Sequence, residues 1–219
     1  MQTLNYFEPR LFRECIDQET DAIAKRHGFR RRKALIHVLD RDGNILGDLR
    51  FPYAVSSVTT LKTTAIDPRV GVHHVELGRA LSTIIGREDK VHAPQVQRTL
   101  MHFPPRPWNE YRVYVGQDNT AVFEKVEHDL VTYGLPWIEG RASLKAIIQD
   151  TAPKRPTPEG YWFNYLIALG LDRQLDLLKE RLEYQDSFYR QTTVPGDQNY
   201  RNFLRGVAGY FGLRLDHPE

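Results

Sequence analysis

Six basic side chains fall within nine positions near the start of the chain, at Lys25, Arg26, Arg30, Arg31, Arg32 and Lys33. Guanidinium and ammonium groups neutralise phosphates, so such a cluster can bind nucleic acid with an affinity that falls as salt is added. The same charges can instead contact another protein. Helix-end residues point around the helix axis and alternate strand residues point to opposite faces, so part of the cluster is expected to diverge. A solvated helix end and strand entry is therefore the simplest interpretation, and a partner contact is the alternative.

A second candidate surface combines prolines, a guanidinium and aromatic rings. Arg106 and Trp108 lie in the proline-rich residues 104–108, and Tyr111 and Tyr114 follow shortly after. Tryptophan, tyrosine and arginine dominate the binding energy of protein interfaces, and loops frequently carry recognition residues. The other interpretation is that Trp108 packs into the core and the prolines stiffen its loop. The sequence leaves these two readings open.

The histidines offer a weaker possibility, a metal site. On a strand, His74 and Glu76 would share a face, so together with one further ligand they could hold a divalent ion. Candidates for that ligand are His37, His92, His102 and His128. Neither paired cysteines nor an HExxH helix accompanies them, so ordinary hydrogen-bonded or exposed histidines are the better interpretation, and we predict no metal site.

Acidic residues around a predicted hairpin are explained without catalysis. Asp40, Asp42 and Asp48 flank the turn, but the segment lacks the glutamate of a calcium loop, and the Asp42-Gly43 pair is ordinary turn chemistry.

The sequence contains no phosphate-binding glycine loop, G-x-S-x-G elbow or Cys/His nucleophile pattern. The single cysteine, Cys15, falls on the apolar side of the first predicted helix and is expected to be a buried structural thiol. We therefore predict no catalytic residue and no cofactor.

Composition is typical of a globular protein. The chain has 219 residues, of which 41% are hydrophobic, and its 30 basic and 28 acidic side chains nearly balance. Any electrostatic role must then come from local clustering. One cysteine cannot form an internal disulfide, which fits a reducing compartment. Residues 1–10 lack the apolar core of a signal peptide, and no run of about 18 apolar residues is present, so we predict a cytoplasmic protein with no membrane association.

The elements that position these residues can be predicted from their periodicity. Apolar residues from Leu11 to Ile23 recur at helical spacing, and Gly28 suits the left-handed residue that ends a helix. Strands are predicted at residues 34–39, 45–51, 54–64, 70–77 and 111–115. A helix capped by Thr120 should run over residues 120–133 and break at residues 135–138, with a short helix at 142–149.

The C-terminal part is predicted to be helical throughout. Residues 151–160 contain three prolines and form a linker, and helices are predicted at residues 161–169, after Asp172, and at 198–211. The predicted architecture is α+β: residues 1–150 form an antiparallel sheet packed with helices, and residues 161–219 form an α-helical extension.

The order of these features resembles a bacterial family of domains of unknown function, the one numbered 4304. The residues that carry the resemblance are Gly28, Phe29, Trp108, Leu135, Pro136 and Trp137, and it covers roughly residues 11–150. It implies a small α+β protein, and some relatives of that family occur near toxin-immunity and defence genes. The family supplies no catalytic residues.

These observations favour a non-enzymatic cytoplasmic protein-binding module, with a bacterial immunity or defence accessory role as the implied setting. The predicted contact residues are Arg30, Arg31, Arg32, Arg106 and Trp108. The alternative is a nucleic-acid-binding or nucleic-acid-processing protein that uses the basic cluster of residues 26–33.

Overall fold

The computed structural model describes residues 9–33, 36–41, 44–53, 63–86, 94–103, 110–153, 162–191 and 197–215. Contacts divide the chain into two compact units. The first, here called the sheet unit, comprises Met1–Val72 and Gln97–Gly140. The second, the helical unit, comprises His73–Val96 and Arg141–Glu219.

The strands form an antiparallel sheet and a separate two-stranded ribbon. The strands are β1 (Phe29–Lys33), β2 (Ile36–Arg41), β3 (Asn44–Arg50), β4 (Thr63–Ile66), β5 (Arg69–Val72), β6 (Val96–Thr99) and β7 (Tyr111–Tyr114). The larger sheet has the order β1-β2-β3-β5-β6, and β4 pairs with β7 in the ribbon. The pairs β1/β2, β2/β3, β3/β5 and β4/β7 are all antiparallel. Together with the helices described below, this confirms the predicted α+β class.

The helices lie in both units. They are α1 (Pro9–Arg26), α2 (Val75–Ile85), α3 (Thr120–Asp129), α4 (Leu135–Gly140), α5 (Leu144–Thr151), α6 (Trp162–Leu171), α7 (Leu175–Gln191) and α8 (Asp197–Tyr210). Helices α1, α3 and α4 belong to the sheet unit, and the others belong to the helical unit. No helix among the described residues is both long enough and apolar enough to cross a membrane.

Helix α1 follows the predicted pattern, except at its cysteine. It buries Phe12, Ile16, Ile23 and other residues of one stripe, and Gly28 takes a left-handed φ of 80° just beyond its end. The prediction that Cys15 is buried is wrong, because the thiol residue is exposed. Cys15 directly precedes Ile16, and the 100° step between neighbours carries its side chain off the buried stripe.

The first hairpin agrees with the sequence pattern. Its strands β2 and β3 correspond to the strands predicted at residues 34–39 and 45–51. Arg41 is opposite Asn44 in the register, and the predicted Asp42-Gly43 turn lies outside the described residues. Most of the strand predicted at 54–64 also lies outside them; β4 begins at Thr63. Tyr111–Tyr114 is a strand, as predicted.

The strand predicted at residues 70–77 is wrong in its second half. Strand β5 ends at Val72, and α2 begins at Val75. The reason is a helix cap: the Nδ1 atom of His74 accepts a hydrogen bond from the Leu77 backbone N–H over 3.5 Å. Glu76 lies in the first turn, where a carboxylate interacts favourably with the helix dipole. His74 and Glu76 therefore do not share a strand face.

The predicted helix break at residues 135–138 is also wrong. A π-helical segment, Leu130–Gly134, joins α3 directly to α4. The Leu135 N–H donates to the Leu130 carbonyl, a five-residue hydrogen bond that lets the chain continue through Pro136. Trp137 and Ile138 then lie buried in the core of the sheet unit. At the start of α3, Asn119 and not Thr120 is the N-cap residue.

The helical unit packs around one apolar core. Its fully buried residues include Leu77, Ile147, Leu166, Leu182 and Val207, from five helices. The described residues 73–86, 94–96 and 141–153 group with the C-terminal helices, and the predicted division at residues 150 and 161 stays a prediction. Of the predicted linker, Thr151 ends α5, and residues 154–160 lie outside the described part of the chain.

Candidate partner-binding surface

Strand β1 carries four consecutive basic residues at the edge of the sheet. Phe29 is buried, whereas Arg30, Arg31, Arg32 and Lys33, here called the basic edge, are all exposed. Among the described strands β1 pairs only with β2. An edge strand presents unpaired backbone N–H and C=O groups, and positive charge along it discourages pairing with unselected chains. The same groups can accept a segment of complementary charge.

The register shows how the basic side chains are distributed. Arg30 is opposite Val38, and Arg31 is opposite His37. The register shifts between Arg31 and Lys33, so Arg32 is the extra residue of a bulge. Neighbouring strand residues point to opposite faces, so Arg30 and Arg31 diverge. The basic edge is therefore a line of charge along the strand, and its guanidinium groups do not converge on one face.

Half of the predicted cluster is already neutralised inside the protein. Lys25 lies 2.7 Å from Asp21, and Arg26 donates two hydrogen bonds to Glu127, at 2.9 and 2.6 Å. Arg30 pairs with Asp40 on β2. By contrast, Arg31 and Lys33 have no ion pair within the part of the chain that the structure describes.

The carboxylate of Glu127 connects the end of α1 to α3. Besides the Arg26 guanidinium, it contacts the Nε2 atom of His27 at 2.7 Å. Hydrogen bonding to Arg26, reinforced by His27, lowers the pKa of Glu127 from its usual 4.5 to about 2. Because Arg26 and His27 directly precede the turn at Gly28, this ion cluster holds the chain where it enters β1.

A second carboxylate fastens α1 to β2 beneath the basic edge. Asp21 contacts Lys25 and, at 2.9 Å, the Nε2 atom of His37. Hydrogen bonds from Lys25 and then from His37 lower the pKa of Asp21. His37 is only 2% exposed and stands across the strand pair from Arg31. The two contacts hold α1 against α3 and against β2, the strand that pairs with β1.

The aromatic candidates are only partly described. Arg106 and Trp108 lie outside the described residues. Tyr111 is buried, and its hydroxyl donates to the Asp129 carboxylate at 2.6 Å. Tyr114 is 41% exposed. The two tyrosines therefore point to opposite sides of β7, because they are three positions apart and successive strand residues point to opposite faces.

Of the candidate metal ligands, His92 lies outside the described residues. No group of three histidine, cysteine or carboxylate side chains in the described ranges is placed to hold a metal ion. His74 caps α2, and burial lowers its pKa. Asp48, predicted near the hairpin turn, is buried and accepts a hydrogen bond from the Arg50 Nε at 2.9 Å. Asp40 is engaged by Arg30.

An open cavity of about 450 Å³ in the sheet unit was missed by sequence reasoning. Helix α1 contributes Cys15 and Glu19 to its lining, and α3 contributes Phe123 and Glu124. The two helices are about 100 positions apart in sequence, so no local pattern could bring their residues together. The lining also includes the exposed Cys15, and its charged groups are four carboxylates and the guanidinium of Arg26.

Comparison of the chain with protein-family models, curated proteins and solved structures found no match. The resemblance to the family numbered 4304 therefore stays a prediction, and the function has to be inferred from the geometry described above.

Proposed function

We propose that this protein is a non-enzymatic cytoplasmic binding module that recognises an acidic segment of another protein through its basic edge. The observation that carries the proposal is the exposure of four successive cations on an edge strand, two of which, Arg31 and Lys33, have no ion pair within the described ranges. Edge strands bind extended peptides through backbone hydrogen bonds, and complementary charge then selects the sequence.

Internal ion pairs support this proposal. Glu127 and Asp21 fasten the end of α1 to α3 and to β2, so β1 is held on a fixed support. A preorganised strand loses little conformational entropy when a partner segment lies along it. Arg31 and Lys33 can then bind carboxylates without first breaking a contact of their own.

The class of partner is suggested by the resemblance stated above. In a bacterial immunity or defence role, the basic edge would bind an acidic segment of a toxin or of another defence component. Arg30, Arg31 and Arg32 are the proposed contact residues within the described part of the chain, and Arg106 and Trp108 remain proposed contacts outside it.

Nucleic-acid binding is the second candidate, and the run of cations on β1 is the observation that favours it. Two observations weigh against it. Lys25, Arg26 and Arg30 already pair with carboxylates, and Arg30 and Arg31 diverge along the strand. Few phosphates could be contacted at once, so the dependence of affinity on salt would be shallow.

Fluorescence anisotropy can separate the two candidates. The probes are a labelled peptide of alternating glutamate and valine and labelled single-stranded DNA, double-stranded DNA and RNA, at low and moderate salt. We expect the wild-type protein to bind the peptide and the R31E/K33E variant to lose that binding. The matched control is R79E/K145E, which reverses two exposed charges in the helical unit and should bind as wild type does.

The outcomes are distinct. Nucleic-acid binding that requires Arg31 and Lys33, without peptide binding, would replace the proposed function by the second candidate, and a steep loss of affinity with salt would show that more phosphates are contacted than the spread of the basic edge suggests. Equal loss in R31E/K33E and R79E/K145E would show that net charge, and not the basic edge, controls binding. Absence of binding to every probe at low salt would overturn the role proposed for the basic edge.

A further inference from the structure

Helices α7 and α8 enclose a buried carboxylate held by two arginines. Asp186 on α7 has a side chain only 2% exposed. Its Oδ2 atom accepts a hydrogen bond from the Nε of Arg190 at 2.7 Å, and its Oδ1 atom accepts one from the Nε of Arg201 at 3.3 Å. A buried charge is costly unless it is paired, so these contacts hold both guanidinium groups in place.

A cavity of about 420 Å³ lies beside this cluster. Asp186 and Arg190 line it from α7, and Arg205 lines it from α8, one helical turn beyond Arg201. Arg205 is exposed and has no ion pair among the described residues. Among the residues that line the cavity, Arg190 and Arg205 outnumber Asp186 by one positive charge, and Arg201, which also bonds to Asp186, adds a second positive charge beside it.

Within the described part of the chain, the hydrogen-bonding capacity of the arginines is also incompletely used. Arg190 and Arg201 bond to Asp186 through their Nε atoms, and each guanidinium carries further N–H donors on its two Nη atoms. These planar donor sets match the oxygens of phosphate, to which arginine binds with two parallel hydrogen bonds. Two excess charges correspond to a doubly charged anion.

The remainder of the cavity is small or apolar. Ala208 and Gly209 lie on the α8 side, and a Cβ atom added to Gly209 would meet no atom within 4 Å. Leu213 and Leu215, both partly buried, complete the lining. A ligand that places its charge on the arginines would therefore lay an apolar portion against the leucines.

We propose that this cavity binds a small phosphomonoester, with the phosphate on Arg190 and Arg205 and an apolar body against Leu213 and Leu215. The lining brings these two arginines and two leucines together in one cavity. Such a pocket fits one small molecule better than the continuous backbone of a nucleic acid, which needs an extended basic groove. The site lies wholly within the helical unit and is independent of the basic edge.

Isothermal titration calorimetry with phenyl phosphate tests the proposal, with inorganic phosphate and phenol as probes of the two halves of the ligand. We expect phenyl phosphate to bind saturably and more tightly than either probe. In Arg205→Ala, its affinity should fall about tenfold or more, since a charged hydrogen-bond donor is lost. The matched control is Arg214→Ala, which removes an exposed arginine that does not line the cavity.

A third variant separates the apolar contact from the charge. Leu213→Ala should weaken binding of phenyl phosphate and leave binding of inorganic phosphate unchanged, and thermal unfolding should confirm that each variant remains folded. Equal losses in Arg205→Ala and Arg214→Ala would overturn the site in favour of diffuse electrostatic attraction. Absence of phenyl phosphate binding at millimolar concentration would overturn it outright. Neither result depends on whether the basic edge binds a peptide.

Discussion

The basic edge and the α7–α8 cluster both concentrate arginine, but they organise it in opposite ways. On β1 the basic residues are consecutive in sequence, and the alternation of the strand spreads them over both faces. On α7 and α8 the arginines are separated in sequence, and the buried Asp186 gathers two of them around one carboxylate. Basic residues that are adjacent in sequence therefore do not bring their charged groups together on a strand. A buried carboxylate does bring two guanidinium groups together between helices.

The largest difference between the regions should appear when their carboxylates are removed. Asp186→Ala would leave Arg190 and Arg201 without their partner, and breaking a buried ion pair costs about 3–5 kcal/mol in the free energy of unfolding. Asp40→Ala removes the partner of Arg30, whose side chain is 69% exposed, and should cost about 1 kcal/mol or less. Urea unfolding followed by circular dichroism measures both changes.

The control for this comparison is Asp176→Ala on α7. Asp176 is exposed in the first turn of the helix, so only its interaction with the helix dipole should be lost, about 0.5 kcal/mol. If Asp186→Ala lowered the free energy of unfolding no more than Asp40→Ala does, the buried carboxylate would not be what organises the helical cluster. The proposed difference between the two regions would then be wrong.

A second comparison concerns how closely each region is packed. A Cβ at Gly47 in β3 would lie 2.8 Å from the backbone oxygen of Gly71 and 2.8 Å from Ile138. A Cβ at Gly170 in α6 would lie 2.4 Å from the ring of Phe211, which is only partly buried and can rotate. Overpacking costs about 1–3 kcal/mol. We expect Gly47→Ala near the upper limit of that range and Gly170→Ala near the lower.

The same unfolding measurement orders the two variants. A larger loss for Gly170→Ala would show that Phe211 cannot move aside and that the helical unit is the more rigidly packed. Gly140→Ala is a suitable control, because a Cβ there would meet no atom within 4 Å.

The smallest expected effect is the pH dependence of the ion cluster at the entry to β1. The pKa of Glu127 is lowered in the folded state, so its contribution to stability is present above the usual carboxyl pKa near 4.5 and is lost as the pH falls towards 2. Glu127→Gln should therefore lower Tm by about 2–4 °C at pH 7, for a cost of about 1 kcal/mol. At pH 3 the difference from wild type should be smaller.

Glu124→Gln provides the control for the pH experiment. Glu124 is exposed on the same helix and has no hydrogen bond or ion pair in the described part of the chain. Its substitution should leave Tm unchanged at both pH values. A Glu127→Gln difference that stayed constant from pH 7 to pH 3 would mean that the side chain acts by packing and not through its charge.

Local periodicity was sufficient to predict much of the fold. Helix α1 and its end at Gly28, the β2–β3 hairpin, β7 and the helical C-terminal part all follow from spacing and turn residues that lie close together in sequence. Two of the wrong local predictions concern whole segments: the cap at His74 turns the second half of a predicted strand into the start of α2, and a π-helical segment carries the chain through Pro136. Both depend on hydrogen bonds at particular positions that periodicity does not reveal.

The sequence by itself determined the α+β class and the exposed basic residues of β1, because both depend on neighbours within a few positions. Only the tertiary structure decided which charges are neutralised. Arg26 meets Glu127 across 101 positions, and Asp186 meets Arg201 across a helix–helix contact. A direct ion pair requires its nitrogen and oxygen to lie within about 4 Å, so the partner of a charge is set by how the elements pack and not by their order along the chain.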